Sequence, residues 1–131
     1  MGDGRLERLP AIVLADGARL AVAEGRAARA AGLVGMRGLP PRTALLIPDC
    51  RSVHTFGMRF VLDLIWLGDE GRIVDISAGV PPRRVVTRAH ARAVVECEAG
   101  TGAAFFAALA TTPAGSIPTR RRAARAARSA R

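Results

Sequence analysis

The stretch of sequence that decides the fold runs from residue 50 to residue 74 and reads CRSVHTFGMRFVLDLIWLGDEGRIV. Its centre is an apolar run, residues 60–67, which one acid, Asp63, interrupts. The turn Gly68-Asp69-Glu70-Gly71 then leads into a second strand-like segment, residues 72–77, so the pattern predicts a β-hairpin. A carboxyl group inside a buried strand costs several kcal/mol unless it finds partners. The fold must therefore either pair Asp63 or use it.

The rest of the chain consists of short apolar segments that tight turns, glycines or prolines separate. These segments predict a hairpin of residues 12–14 and 19–23, a helix at 24–33 that Gly32 or Gly35 closes, strands at 43–47 and 93–98, an exposed loop opened by Pro81-Pro82-Arg83-Arg84, and a helix at 102–110. Strands outnumber helices. We therefore predict an α+β fold in which a small, mostly antiparallel, β-barrel-like sheet carries one or two short packed helices.

The positive charge of the chain is concentrated near its C-terminus. The 131 residues carry a net charge of +9, and all 20 basic residues are Arg. Residues 119–131 hold six of these Arg and no acid, so the remainder carries only +3. We interpret residues 1–118 as a single globular domain and residues 119–131 as a basic tail that is disordered or loosely helical. No aromatic residue interleaves with the tail, and nucleic acid is therefore not an expected partner.

Location and cofactor content follow from what the sequence lacks. No apolar stretch approaches the roughly 18 residues that a membrane helix needs, and the segment MGDGRLERLP contains acids and no apolar signal region. We therefore expect a cytoplasmic protein in which Cys50 and Cys97 are free thiols. Two cysteines and two histidines do not make up a complete metal-ligand set, so neither a metal nor another cofactor is expected.

Four segments resemble one protein family in both content and order. They are RAAGLVGMRGL (residues 29–39), the stretch of residues 50–74 quoted above, PPRR (residues 81–84) and VVECEAG (residues 94–100). On these segments the chain is identified as a member of the domain-of-unknown-function family 192, a bacterial and archaeal family without an agreed biochemical function. The resemblance covers roughly residues 20–110. It implies a compact, β-barrel-like α+β domain and does not imply a reaction.

Five side chains are candidates for ligand binding: His54, Met58, Asp63, Arg84 and Glu96. His54 titrates near neutral pH, but it could equally cap a strand. Met58 could line an adaptable pocket or belong to the core, and Arg84 could clamp an anion or remain solvated. Glu96 alternates with apolar neighbours along its strand, which favours a solvated strand face over a binding role.

Asp63 is the candidate that we expect to be buried, because both faces of its strand are otherwise apolar. We interpret it as a structural residue that pins the turn before its strand to the sheet, with a direct role in a site as the alternative. Its possible partners by sequence are Arg59, His54, Arg37 and Arg84.

Three classes of function remain open. The first is a non-catalytic binding domain, expected to be a monomer, that uses the strands and the loop at residues 81–90 to hold a small ligand or a protein partner. The second is a hydrolase-like enzyme with His54, Asp63 and Glu96 as acid/base groups, for which no catalytic residue can be assigned because the chain lacks a clear nucleophile, phosphate loop or metal motif. The third is weak nucleic-acid binding through the tail. The sequence favours them in that order.

Overall fold

The computed structural model describes residues 4–113 and 115–120, except for the side chains of residues 26, 27 and 30. The elements in chain order are β1 (Ala11–Val13), β2 (Arg19–Val22), α1 (Gly25–Ala31), β3 (Thr43–Pro48), β4 (Ser52–His54), β5 (Leu62–Leu67), a 3-10 turn (Asp69–Gly71), β6 (Ile73–Val80), β7 (Val85–Thr87), β8 (Ala93–Glu98) and α2 (Gly102–Ala110).

Six strands form the main sheet in the order β1-β2-β3-β8-β5-β6. The pairs β1–β2, β3–β8, β5–β8 and β5–β6 are antiparallel, whereas β2 and β3 are parallel. A parallel pair needs a long crossover connection, and here that connection contains α1. The predicted α+β fold with a mostly antiparallel sheet is confirmed. Across residues 4–113 and 115–120, no ladder joins the edge strands β1 and β6, so the sheet is open and only loosely barrel-like.

The central strands β3 and β5 are buried at every residue, because both faces of the sheet are covered. Successive side chains of a strand point to opposite faces. On one side, which we call the α2 face, Ile65 and Leu67 pack in a cluster with Phe105 and Leu109 of α2. On the other side, the α1 face, the cluster contains the β5 residues Leu62, Leu64 and Trp66 together with Leu33 and Met36 from the segment that follows α1.

Local turn chemistry explains the first hairpin. Gly17 adopts a positive φ of 86°, which glycine allows without a steric penalty. The Asp16 carboxylate accepts a hydrogen bond from the backbone N–H of Ala18 at 2.9 Å. These two residues reverse the chain between β1 and β2, and the predicted Asp-Gly hairpin is confirmed.

The first helix is shorter than the sequence predicted. Helix α1 ends at Ala31, and its C-cap residue is Gly32, with a φ of 47°. Gly32 is therefore the closing glycine, rather than Gly35. The second helix, α2, matches the predicted residues 102–110 and buries Phe105, Ala108 and Leu109.

The strands β4 and β7 were not predicted. They pair with each other in a separate two-stranded antiparallel sheet. Thr55, which is fully buried, fixes this ribbon: its hydroxyl donates to the carbonyl of Pro81 at 2.7 Å and accepts from the backbone N–H of Arg84 at 2.8 Å. Three-residue strands whose partner lies about 30 residues away carry no periodicity of their own.

The packed part of the chain continues slightly beyond the predicted boundary at residue 118. Ile117 and Thr119 are buried, and the carbonyl of Thr119 accepts a hydrogen bond from the backbone N–H of Asp49 at 2.9 Å. The rest of the predicted tail, residues 121–131, lies outside the described residues. Neither of the two α-helices in the described part of the chain is long and apolar enough to cross a membrane.

Candidate functional site

Glu96 lies at the centre of the sheet and on its α1 face. Its neighbours across the ladders are Leu45 on β3 and Leu64 on β5. The side chain is only 5% exposed. The prediction of a solvated strand face was therefore wrong. Strand β8 lies between β3 and β5 and is covered on both sides. The alternation of polar and apolar residues along it therefore does not separate a solvent-exposed face from a buried one.

The carboxyl group of Glu96 lines a cavity of about 190 Å³ between the end of α1 and strand β4, which we call the Glu96 cavity. The other residues that line it are Arg29, Ala31, Gly32, Leu33, Val34, Ile47, Cys50, Ser52, Val53, His54 and Met58. A β-carbon at Gly32 would stand 3.8 Å from Oε1 of Glu96, so the helix C-cap lies directly beside the carboxyl group.

Glu96 is a buried acid without compensation from the protein. Among the described residues, none donates a hydrogen bond to its carboxyl group and none forms an ion pair with it. Burial penalises the charged form and raises the pKa of Glu96 to about 7. The group therefore changes charge near neutral pH while it faces an open cavity.

Two polar residues in the cavity wall are engaged elsewhere. The guanidinium of Arg29 donates hydrogen bonds to the carbonyls of Pro48 and Asp49. The thiol of Cys50 donates to the carbonyl of Ser52 at 3.2 Å. Burial raises the pKa of the Cys50 thiol, so the neutral form predominates at neutral pH. These contacts anchor the wall, whereas the carboxyl group of Glu96 and the ring of His54 have no hydrogen-bond partner among the described residues.

Two of the other predicted site residues share this cavity with Glu96. His54 is the last residue of β4, and its exposed ring lies 6.2 Å from the ring of Phe56, centroid to centroid. Met58 is buried and belongs to the apolar cluster of the α1 face. The structure thus brings His54, Met58 and Glu96 together, although Glu96 lies about 40 residues further along the chain than the other two.

Asp63 is buried as predicted, at 6% exposure, but it lies on the opposite face of the sheet. It is paired with Cys97, the residue after Glu96, and adjacent residues of one strand point to opposite faces. Its carboxylate accepts backbone N–H hydrogen bonds from Gly79 at 2.9 Å, Gly100 at 2.9 Å and Gly102 at 3.0 Å.

The cationic partners predicted for Asp63 were therefore wrong, and so was the turn that it was expected to pin. Three backbone amides take the place of Arg59, His54, Arg37 and Arg84. The Asp63 carboxylate secures the end of β6 and the start of α2, and it does not contact the turn that precedes its own strand. A sequence pattern cannot reveal this, because amide donors exist at every residue.

Arg84 lies outside the Glu96 cavity. Its exposed side chain donates to the carbonyl of Arg83 at 3.3 Å, and its backbone N–H is held by Thr55. Within residues 4–113 and 115–120, no group of three His, Cys, Asp or Glu side chains is placed to hold a metal ion. The structure separates Asp63 from the other two acid/base candidates by the thickness of the sheet.

The cavity places His54 and Glu96 beside wall residues that sequence reasoning did not select, chiefly Arg29, Gly32 and Cys50. With this geometry in place, the relatives of the chain can be compared. A family model described as DUF192, Uncharacterized ACR, matches residues 12–107. The chain belongs to the domain-of-unknown-function family 192. The matched range of this family-192 domain includes every residue that lines the Glu96 cavity.

Two solved structures share the fold of this family-192 domain. One is a protein of unknown function from Novosphingobium aromaticivorans DSM 12444, with 19% sequence identity and a TM-score of 0.58; the alignment covers 87% of this chain and 95% of that one. The other is a protein from Sinorhizobium meliloti 1021 described as a "putative transcription regulator", with 20% identity and a TM-score of 0.60, covering 80% and 86%. At these identities the likeness concerns the fold alone. No curated protein matches the chain significantly.

Proposed function

We propose that this family-192 domain is a non-catalytic binding domain whose ligand occupies the Glu96 cavity. The observation that carries the proposal is the carboxyl group of Glu96, which is buried, unpartnered among the described residues and faces open space. Its oxygens are not among the fully enclosed side-chain atoms that lack a partner, so they reach the cavity and can accept a hydrogen bond from a partner there. A ligand that enters the cavity supplies that partner.

The composition of the cavity supports this role. About half of its wall is apolar, with contributions from Leu33, Ile47, Val53 and Met58, and its polar part comes chiefly from Arg29, Ser52, His54 and Glu96. Ligand sites typically combine an apolar lining with a small number of placed polar groups. The volume of about 190 Å³ is below the roughly 300–1,000 Å³ of sites for drug-sized molecules. The occupant is therefore a small molecule or a single side chain of a protein partner.

The chemistry around the cavity favours binding over catalysis. The raised pKa of the Cys50 thiol leaves little thiolate to act as a nucleophile at neutral pH. The hydrolase alternative requires His54, Asp63 and Glu96 to act on one substrate. Asp63 instead accepts three backbone hydrogen bonds on the opposite face of the sheet.

We further propose that the domain acts as a monomer in the cytoplasm. The unpaired Cys50 and Cys97 support this location, because the cytoplasm keeps thiols reduced. The exposed large apolar side chains belong to several different elements, which supports the monomer. They are Val13, Phe56, Val61, Val74, Ile76, Val85 and Phe106.

Native mass spectrometry of the full chain, purified from its own host, tests the binding proposal. The informative variant is Glu96→Leu, which replaces the buried carboxyl group with an apolar group of similar size. Glu98→Gln is the matched control: Glu98 lies two residues away on the same strand, lines a different cavity and holds the backbone N–H of Leu39 at 2.9 Å. We expect a bound small molecule on the wild type and on Glu98→Gln but not on Glu96→Leu. A mass that persists on Glu96→Leu would place the ligand elsewhere.

A further inference from the structure

The chemical class of the ligand follows from the groups that surround Glu96, on the condition that the proposed function is correct. We propose that the Glu96 cavity binds a primary ammonium group carried on a short apolar chain. The carboxylate is the anchor, and the apolar wall holds the chain.

The unpaired carboxyl group of Glu96 selects a cation. An ionised carboxyl group can only accept hydrogen bonds, so its partner must be a donor. The guanidinium of Arg29 donates instead to the carbonyls of Pro48 and Asp49. No described residue forms an ion pair with Glu96. A buried carboxylate is strongly stabilised by a paired cation, whereas an anionic ligand would add a second negative charge to the same enclosed space.

The shape of the cavity limits the rest of the ligand. Apolar side chains, including Leu33, Ile47, Val53 and Met58, form about half of the wall of this space of about 190 Å³. A short alkyl chain fills such a space and gains from leaving water. An ammonium head is compact, with three donors, and suits a single carboxyl group in the wall of a small cavity.

Because Glu96 gains and loses a proton, the affinity for an ammonium ligand should depend on pH. Burial raises the pKa of the carboxyl group to about 7, and a cation pairs with its ionised form. Binding therefore displaces a proton below pH 7, and the affinity for an ammonium ligand should be about tenfold lower at pH 6 than at pH 8. A neutral acceptor would instead bind the protonated acid, and its affinity would fall as the pH rises.

The other ionisable groups that face the cavity are Arg29 on α1, Cys50 after β3 and His54 on β4. Burial raises the pKa of the Cys50 thiol, so the thiol stays neutral in this range. Any contribution of His54 to the pH dependence of binding must be separated from that of Glu96. The variant His54→Gln removes that contribution, so a pH dependence that survives in it belongs to Glu96.

An NMR titration of the full chain tests the inference with three probes of equal length: n-butylammonium, n-butanol and butyrate. Chemical shifts of the amides of Gly32, Cys50 and His54 report on occupancy of the cavity. We expect n-butylammonium to bind most tightly at pH 8 and to weaken about tenfold at pH 6, in both the wild type and His54→Gln. We also expect Glu96→Gln to weaken it at least about tenfold at pH 8, because the charge partner is lost, and Glu98→Gln to leave it unchanged.

The possible results separate the ligand class from the site. If n-butanol binds the cavity as tightly as n-butylammonium, the ammonium assignment is overturned and the binding function stands. If none of the probes shifts the cavity amides, the ammonium assignment and the proposed site are overturned together. Should Glu96→Gln fail to fold, the pH dependence in the wild type and in His54→Gln still decides the assignment.

Discussion

Oδ2 of Asp63 lies 3.0 Å from the backbone nitrogen of Gly102, the first residue of α2. The same oxygen accepts from Gly100, and Oδ1 accepts from Gly79 in β6. A carboxylate near a helix N-terminus interacts favourably with the partial positive charge there. One side chain of the central strand β5 therefore holds an edge strand and a helix in place, which assigns Asp63 a structural role.

We predict that Asp63→Ala lowers the free energy of unfolding by about 2–4 kcal/mol, because it leaves three backbone N–H groups without their charged acceptor. Asp63→Asn should cost less, since the side-chain oxygen still accepts. Urea denaturation of the wild type and both variants gives the values. The control is Asp75→Asn, which weakens an exposed ion pair with Arg88 and should cost far less than Asp63→Ala. Near-normal stability of Asp63→Ala would contradict the structural role.

From the contact between Asp63 and Gly102 we also predict that a larger residue at position 102 destabilises the fold. A β-carbon at Gly102 would lie 2.7 Å from Oδ2 of Asp63, so Gly102→Ala should cost about 1–3 kcal/mol although alanine is the better helix former. In the Asp63→Ala background the nearest clashing atom is gone, and the cost should fall by at least about 0.5 kcal/mol. Urea denaturation of the four proteins of this double-mutant cycle measures the coupling. Strictly additive effects would show that the two residues act independently.

Local patterns were sufficient to predict much of the fold. The Asp16-Gly17 turn, the apolar run of β5 and the helical spacing of Phe105 and Leu109 each lie within a few residues, and the structure has the corresponding hairpin, strand and helix. These signals depend on backbone geometry and side-chain periodicity, which neighbouring residues set.

The candidate site was less predictable, because its properties depend on distant neighbours. Glu96 looks like a solvated residue in sequence and becomes buried since β3 and β5 flank its strand. His54 meets it only because β4 pairs with β7, more than 30 residues away. The partners of Asp63 are backbone amides, which no residue type reveals. Sequence reasoning selected three residues of the cavity but could not place them together.

We predict that Glu96 makes the free energy of unfolding depend on pH. Its pKa is raised to about 7 in the folded chain, compared with about 4.3 for an ordinary Glu in the unfolded chain. Between these values the folded state binds more protons than the unfolded state does. The stability that proton binding to Glu96 contributes is therefore fully present below about pH 4 and is lost as the pH rises to about 7. The full loss amounts to about 4 kcal/mol, and urea denaturation at pH 5, 6, 7 and 8 measures most of it.

Two variants isolate this contribution. Glu96→Gln has no charge to lose and should remove most of the dependence between pH 5 and pH 8, whereas Glu98→Gln should retain it. The hydrogen bond and charge of Arg88 lower the pKa of Asp75, so Asp75 titrates below this range and does not confuse the measurement. An unchanged pH profile in Glu96→Gln would show that Glu96 is not a buried, high-pKa acid.

The two thiols should be unreactive at neutral pH. Burial raises the pKa of Cys50, and it raises that of Cys97 to about 11. Labelling with a thiol-reactive disulfide reagent, using Cys97→Ala and Cys50→Ala to observe each thiol alone, should be slow for Cys50 at pH 7 and slower still for the buried Cys97. A Cys50 thiolate that titrates well below the value of a free cysteine would contradict this and would favour an enzyme.

We predict that two truncations of the C-terminal segment have very different effects on the melting temperature. Removal of residues 121–131 takes away only Arg, Ala and Ser, so the melting temperature should stay nearly unchanged. Truncation after Pro113 also removes buried Ile117 and the Thr119 carbonyl that holds Asp49, and it should lower the melting temperature by roughly 5–15 °C. Circular dichroism during heating measures both. A loss of several degrees from the first truncation would show that the basic segment packs on the domain, and no loss from the second would contradict the packing of Ile117.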